Sequence, residues 1–64
     1  MTQKERIESA LNTAVSETKA AIRELTAAAV RQDAEAVTFW QKAATYWTDK
    51  INERIKQLKE VNAN

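Results

Sequence analysis

The chain has 64 residues, a net charge of +1, and no Cys, His, Gly or Pro. The absence of Cys excludes disulfides and thiolate metal sites, and the absence of His removes the commonest general base and zinc ligand. Without Gly, tight strand hairpins and phosphate-binding Gly-rich loops are disfavoured, so we expect an all-α protein that is not an enzyme and holds no cofactor or metal.

A chain of this length forms one domain, residues 1–64, whose core seldom supplies more than about 3–5 kcal/mol without further stabilisation. Oligomerisation is the remaining source of that stabilisation. No apolar run approaches the roughly 18 residues of a membrane span, and no signal-peptide apolar segment follows the first six residues. We therefore expect a soluble, cytoplasmic protein that binds neither a membrane nor a small-molecule substrate.

The first predicted helix covers about residues 3–30 and begins with a capping box formed by Thr2 and Glu5. Its larger side chains recur every three or four residues, which places them on one helix face. The predicted stripe on this face contains Ile7, Leu11, Val15, Thr18, Ile22, Leu25 and Ala29. A second row of small side chains runs beside it and contains Ala10, Ala14, Ala21 and Ala28.

The polar segment at residues 31–35 separates this helix from the next. Asp33 is a favoured N-cap residue, Glu35 suits the first turn of a helix, and Arg31 suits the last turn of one. The segment predicts a turn at about residues 31–34 and hence an antiparallel helical hairpin. Because neither Gly nor Pro enforces the break, the alternative is one long continuous helix in a coiled coil.

The second predicted helix, about residues 34–62, contains all four aromatic residues in a seven-residue repeat. Seven residues are two helical turns, so Trp40 and Trp47 share one stripe while Phe39 and Tyr46 share another. Arg54 interrupts the Trp stripe, and we expect its stem to lie along the apolar seam. The predicted core of this helix contains Val37, Trp40, Ala44, Trp47, Ile51, Ile55 and Leu58.

Folding at the predicted turn places the bulky second helix over the Ala-rich middle of the first. Large side chains facing small ones fill space without voids, which favours the hairpin. A two-chain antiparallel coiled coil satisfies the same pattern.

The rings of Phe39 and Tyr46 lie about 100° from the Trp stripe and widen the apolar face beyond what two helices need. A second copy of the chain would supply the missing cover, so we predict a homodimeric four-helix bundle. The predicted partner or dimer interface contains Phe39, Lys42, Ala43, Tyr46 and Lys50. The sequence leaves open whether a second copy or a different partner covers the two rings.

These features predict a protein–protein interaction module that acts as a regulator, inhibitor or adaptor. Aromatic residues next to Lys42 and Lys50 also suit RNA, although Glu35 and Glu53 flank them, so a protein partner is preferred to a nucleic acid. A structural coiled-coil element of a larger assembly is a further alternative. Short Cys-free helical chains are often encoded by phages or plasmids, and we expect that origin by association.

The predicted architecture resembles the Rop family of plasmid copy-number proteins, which are dimers of helical hairpins that bind paired RNA loops. The segments Met1-Thr2-Gln3-Lys4-Glu5 and Ala10-Leu11-Asn12 are similar to the first helix of that family. The RNA-binding face of the family includes an aromatic residue on the first helix, and this chain has none there. The resemblance implies a fold plan and an RNA-binding alternative, and no site residue is carried over.

Overall fold

The computed structural model describes residues 1–63 and contains two long helices, α1 at Gln3–Val30 and α2 at Ala34–Asn62. The helices pack extensively against each other as an antiparallel pair, and the resulting rod is 49 Å long. The predicted all-α helical hairpin is therefore confirmed, and the alternative of one continuous helix is wrong.

The capping box predicted at the start of α1 is present. The Thr2 hydroxyl accepts a hydrogen bond from the Glu5 backbone N–H, and the Thr2 backbone N–H donates to Glu5 Oε1, both at 3.1 Å. The bonds from Thr2, chiefly that from its backbone N–H, stabilise the ionised carboxylate and hold the pKa of Glu5 below its ordinary value of 4.5. These bonds satisfy N–H groups that the first turn of a helix leaves unpaired.

The turn between the helices depends on Gln32, whose φ of 59° is the one positive φ among the described non-Gly residues. Gln32 N–H donates to the carbonyl of Ala29 and Asp33 N–H donates to that of Ala28, at 3.1 and 3.0 Å. This is the Schellman arrangement that ends many helices, here with Gln at the position usually taken by Gly. Asp33 then caps α2 by accepting from Ala36 N–H at 3.1 Å.

The seam between the helices is centred on a row of alanines. Among the described residues only Ala14, Ala21 and Ala28 are buried, and they lie seven residues apart. They belong to a seam at residues 7, 11, 14, 18, 21, 25 and 28, in which steps of four and three alternate without interruption. That 3.5-residue period keeps one stripe of α1 directed at α2 along its length.

This register corrects the predicted core at two positions. Ile22 is 50% exposed and Ile55 is 39% exposed, so neither lies in the core of the hairpin. Ile22 follows the seam residue Ala21 and is turned about 100° away from it. On α2 the seam position two helical turns after Trp47 is taken by half-buried Arg54, whose Nη1 donates to Gln57 Oε1 at 3.0 Å.

The remaining predicted core residues are half-buried rather than buried. On α1 they are Ile7, Leu11, Val15 and Leu25, and on α2 they are Val37, Trp40, Ala44, Trp47, Ile51 and Leu58. No large side chain of the described chain is fully enclosed by the two helices. Two helices alone have a side open to solvent on either edge of their seam, which explains this partial burial.

Candidate interaction surface

The two open sides of the hairpin differ in their residues, and a groove identifies which helix edges share a side. The groove is lined by Ala10, Thr13, Ala14, Tyr46, Trp47, Lys50 and Arg54. The edge of α1 that holds Ala10 and Thr13 therefore lies beside the edge of α2 that holds Tyr46 and Lys50. Residues seven apart share an edge, so each side can be followed along the rod.

We call the side with the rings the aromatic flank. On α1 it contains Ala10, Thr13, Glu17, Ala20, Glu24 and Ala27. On α2 it contains Ala36, Phe39, Ala43, Tyr46, Lys50, Glu53, Gln57 and Glu60. We call the opposite side the aliphatic flank. On α1 it contains Leu11, Val15, Thr18, Ile22, Leu25 and Ala29. On α2 it contains Ala34, Val37, Gln41, Ala44, Thr48, Ile51, Ile55 and Leu58.

The doubled aromatic motif has the same geometry in both copies. The rings of Phe39 and Trp40 are 4.9 Å apart between centroids at an interplanar angle of 90°, and those of Tyr46 and Trp47 are 5.1 Å apart at 84°. Edge-to-face pairs of this kind are favourable arrangements of aromatic rings. Both Trp rings are half-buried, whereas Phe39 is 62% exposed and Tyr46 is 54% exposed. Each pair thus presents its second ring to solvent.

Lys50 is engaged within its own helix. Its Nζ lies 5.4 Å from the centroid of the Tyr46 ring and 3.5 Å from Glu53 Oε2. The first contact is a cation–π interaction and the second is an ion pair on successive helical turns. The ammonium group is therefore partly neutralised before any partner arrives.

The five residues of the predicted interface do not all occupy one place. Phe39, Ala43, Tyr46 and Lys50 lie on the aromatic flank, where Ala43 and Lys50 are half-buried against the seam. Lys42 is exposed and lies farther round α2, on the outer surface beyond the rings. The flank itself therefore carries one lysine rather than two.

Glu17 and Glu24 are the flank residues that the sequence-based interface missed. Both are exposed and lie seven and fourteen residues after Ala10, on the edge of α1 that borders the groove. Together with Glu53 and Glu60 they give the aromatic flank four carboxylates, against Lys50 and the half-buried Arg54 that lines the groove. The seven-residue spacing from Ala10 was visible in the sequence, but only the packing of the helices places that edge beside the rings.

The described residues show none of the arrangements needed for metal chemistry or for crossing a membrane. Residues 1–63 contain no cluster of three or more acidic side chains placed to bind a metal ion. Neither helix, over its described length, is apolar and long enough to span a bilayer. The second groove, at the open end of the hairpin, is lined by Gln3, Ile7, Gln57, Glu60 and Val61.

Comparison of the chain with protein-family models, with curated proteins and with solved structures finds no match. The roles of its residues are therefore inferred from their geometry and chemistry.

Proposed function

We propose that this protein is a small, non-enzymatic interaction module that acts as a regulator, inhibitor or adaptor by docking its aromatic flank to another protein. The observation that carries the proposal is the exposure of Phe39 and Tyr46, each of which contacts the neighbouring Trp ring edge to face. Rigid aromatic side chains lose little conformational entropy on binding and are frequent hot spots of protein interfaces.

The composition of the flank favours a protein partner. Apolar rings and alanines form its centre, and charged residues form its edges, as in an interface with an apolar core and a polar rim. The carboxylates of Glu17 and Glu24 complement a partner that carries Lys or Arg beside an apolar patch. The same carboxylates repel a phosphate backbone, and Lys50 is already paired with Glu53. A basic protein surface therefore suits this flank better than RNA does.

Affinity capture from a lysate of the source organism, with and without nuclease, tests the proposal. The double variant Phe39→Ala/Tyr46→Ala is compared with Thr38→Ala/Thr45→Ala, which changes the residue before each ring on the outer surface of α2. We expect the unaltered protein to capture one partner protein whether or not nuclease is added. The Phe39→Ala/Tyr46→Ala variant should fail to capture this partner, and the Thr38→Ala/Thr45→Ala control should still capture it. An unchanged set of captured proteins in the first variant would contradict the proposal.

The charge of the flank supplies a second readout once a captured protein has been purified. Changing Glu17→Gln and Glu24→Gln should slow its association and reduce the dependence of the rate on salt. A nucleic-acid partner predicts the reverse, because removing carboxylates strengthens binding to phosphates, whereas Lys42→Gln and Lys50→Gln weaken it. Tighter binding of structured RNA by the Glu17/Glu24 variant would replace the proposal with the RNA-binding alternative.

A further inference from the structure

We infer that the aliphatic flank is the surface on which a second copy of this chain docks, with the two hairpin turns at opposite ends, so that the aromatic flank of each copy stays free. This inference goes beyond the proposed function because it assigns the self-association surface to different residues. In this arrangement the second copy does not cover Phe39 and Tyr46, since it lies on the opposite side of the rod.

Charge is distributed unequally between the two flanks. The fourteen residues named for the aliphatic flank are uncharged, and its edge of α1 reaches charged residues only at Lys4 and Glu8, near the open end of the hairpin, whereas the aromatic flank carries Glu17, Glu24, Lys50, Glu53 and Glu60. Burying charged groups in an interface is costly, so a surface that meets a copy of itself is favoured where charges are few. The exposed Ile22 and Ile55 both lie on the aliphatic flank.

The single hairpin leaves a large area exposed to solvent. The accessible surface of the hairpin is 4850 Å². A folded monomer of 7.3 kDa exposes about 4,200 Å² on average, so the hairpin has an excess of roughly 700 Å². Each partner of a standard-size stable interface contributes about 800 Å². The excess is therefore close to the area that one flank would bury against a second copy.

The aliphatic flank also fits a copy of itself. A two-fold axis across the middle of the rod places α1 over α1 of the second copy and α2 over α2, each pair running in opposite directions. Since α1 spans residues 3–30, Ile22 comes level with Leu11 of the second copy. Since α2 spans residues 34–62, Ile51 comes near Ala44 of the second copy, and Thr48 lies at the axis. Ile22 thus meets an apolar side chain and Ile51 meets a small one, while Ile55 comes level with Gln41 of the second copy.

The other arrangements fit less well. With both turns at the same end, α1 lies over α2 of the second copy, and Ile22 comes level with Gln41 rather than with Leu11. With the same two-fold axis on the aromatic flank, Glu17 lies at the middle of α1 and approaches Glu17 of the second copy, where like charges repel.

Mass measurements on matched variants test the inference. We expect light scattering at micromolar concentration to give the mass of two chains. Ile22→Lys/Ile55→Lys should weaken association about 100-fold or more, because it places charges in the interface. Phe39→Lys/Tyr46→Lys should leave the two-chain mass unchanged. A one-chain mass for the unaltered protein, or dissociation of the Phe39/Tyr46 variant alone, would overturn the inference.

Cross-linking keeps the test decisive if the lysine variants fail to fold. The chain has no Cys, so Thr48→Cys introduces a single thiol at the expected axis, and Thr45→Cys introduces one on the outer surface of α2. Mild oxidation should link Thr48→Cys into covalent dimers and leave Thr45→Cys unlinked, because a disulfide forms between Cα atoms roughly 4.4–6.8 Å apart. Covalent dimers of Thr45→Cys without covalent dimers of Thr48→Cys would exclude the aliphatic flank as the dimer interface. Neither readout requires the partner of the proposed function, so failure of one proposal is distinguishable from failure of the other.

Discussion

Tyr46 and Trp47 are neighbours in the chain whose rings meet edge to face, 5.1 Å apart between centroids, with one ring exposed and the other half-buried. Phe39 and Trp40 repeat this relationship two helical turns earlier. The inner ring of each pair stabilises the hairpin, and the outer ring is presented at the surface. We therefore expect substitution of an inner ring to lower the free energy of unfolding more than substitution of an outer ring.

Trp40→Ala should lower the free energy of unfolding by about 2 kcal/mol, less than the roughly 3–5 kcal/mol typical of a fully buried ring, because Trp40 is half-buried. Phe39→Ala removes a mainly exposed ring and should cost less than about 1 kcal/mol. Urea denaturation at one fixed protein concentration measures both. Equal losses would mean that the Phe39 ring is covered as extensively as the Trp40 ring.

Ala21→Leu should destabilise the hairpin by about 1–3 kcal/mol, because its methyl group is 2% exposed between the helices and a larger side chain has no space there. The matched control is Ala20→Leu, one residue earlier on an exposed position of the same helix. We expect thermal unfolding monitored by circular dichroism to show a lower midpoint for the first variant only. An unchanged unfolding midpoint for Ala21→Leu would indicate that a different row of α1 faces α2.

Gln32→Gly should stabilise the protein by about 0.5–1 kcal/mol, since a left-handed conformation costs a residue with a Cβ roughly 1–2 kcal/mol and glycine gives up part of that gain in entropy. The control is Gln32→Ala, which keeps the Cβ and should give no such gain. Chemical denaturation compares the two variants. Stabilisation of both to the same extent would show that the Gln side chain, rather than the φ of 59°, is unfavourable at this position.

The Glu5 carboxylate should make the start of α1 sensitive to acid. The pKa of Glu5 is lower in the folded chain than its ordinary value of 4.5, so its contribution to stability is complete above that value and disappears as the pH falls through the folded pKa. An NMR titration of the side-chain carboxyl carbon should therefore show a midpoint below 4.5. Thr2→Val removes the contribution of the Thr2 side chain and should move the midpoint upward, and an unchanged midpoint would show that the backbone N–H of Thr2 alone lowers the pKa of Glu5.

Local signals in the sequence predicted the two helices and the position of the break between them, with one continuous helix as the alternative. Thr2 and Glu5 form the expected capping box, and Asp33 caps α2 as expected, because these bonds join residues only three positions apart. The positive φ of Gln32 had no such signal, since the residue type usual at that position is absent from the chain.

The seam and the composition of the two flanks required the tertiary structure. On α1 the rows that begin at Ala14 and Val15 differ by about 100°, and either row continues a three-and-four pattern from Ile7 and Leu11. In the structure the alanine row faces α2, because small side chains let the two helices and the Trp rings approach closely. As a result Ile22 lies on the aliphatic flank and Glu17 lies on the aromatic flank.

By itself, the sequence determined that this protein is helical, where a break between two helices would fall, and that its aromatic residues form an inner and an outer stripe, because each depends on interactions between residues close in the chain. Only the packing of α1 on α2 decided that the chain reverses at the break, which row of α1 forms the seam and which carboxylates accompany the exposed rings, because those relationships join residues that are far apart in the chain and depend on the register of the two helices.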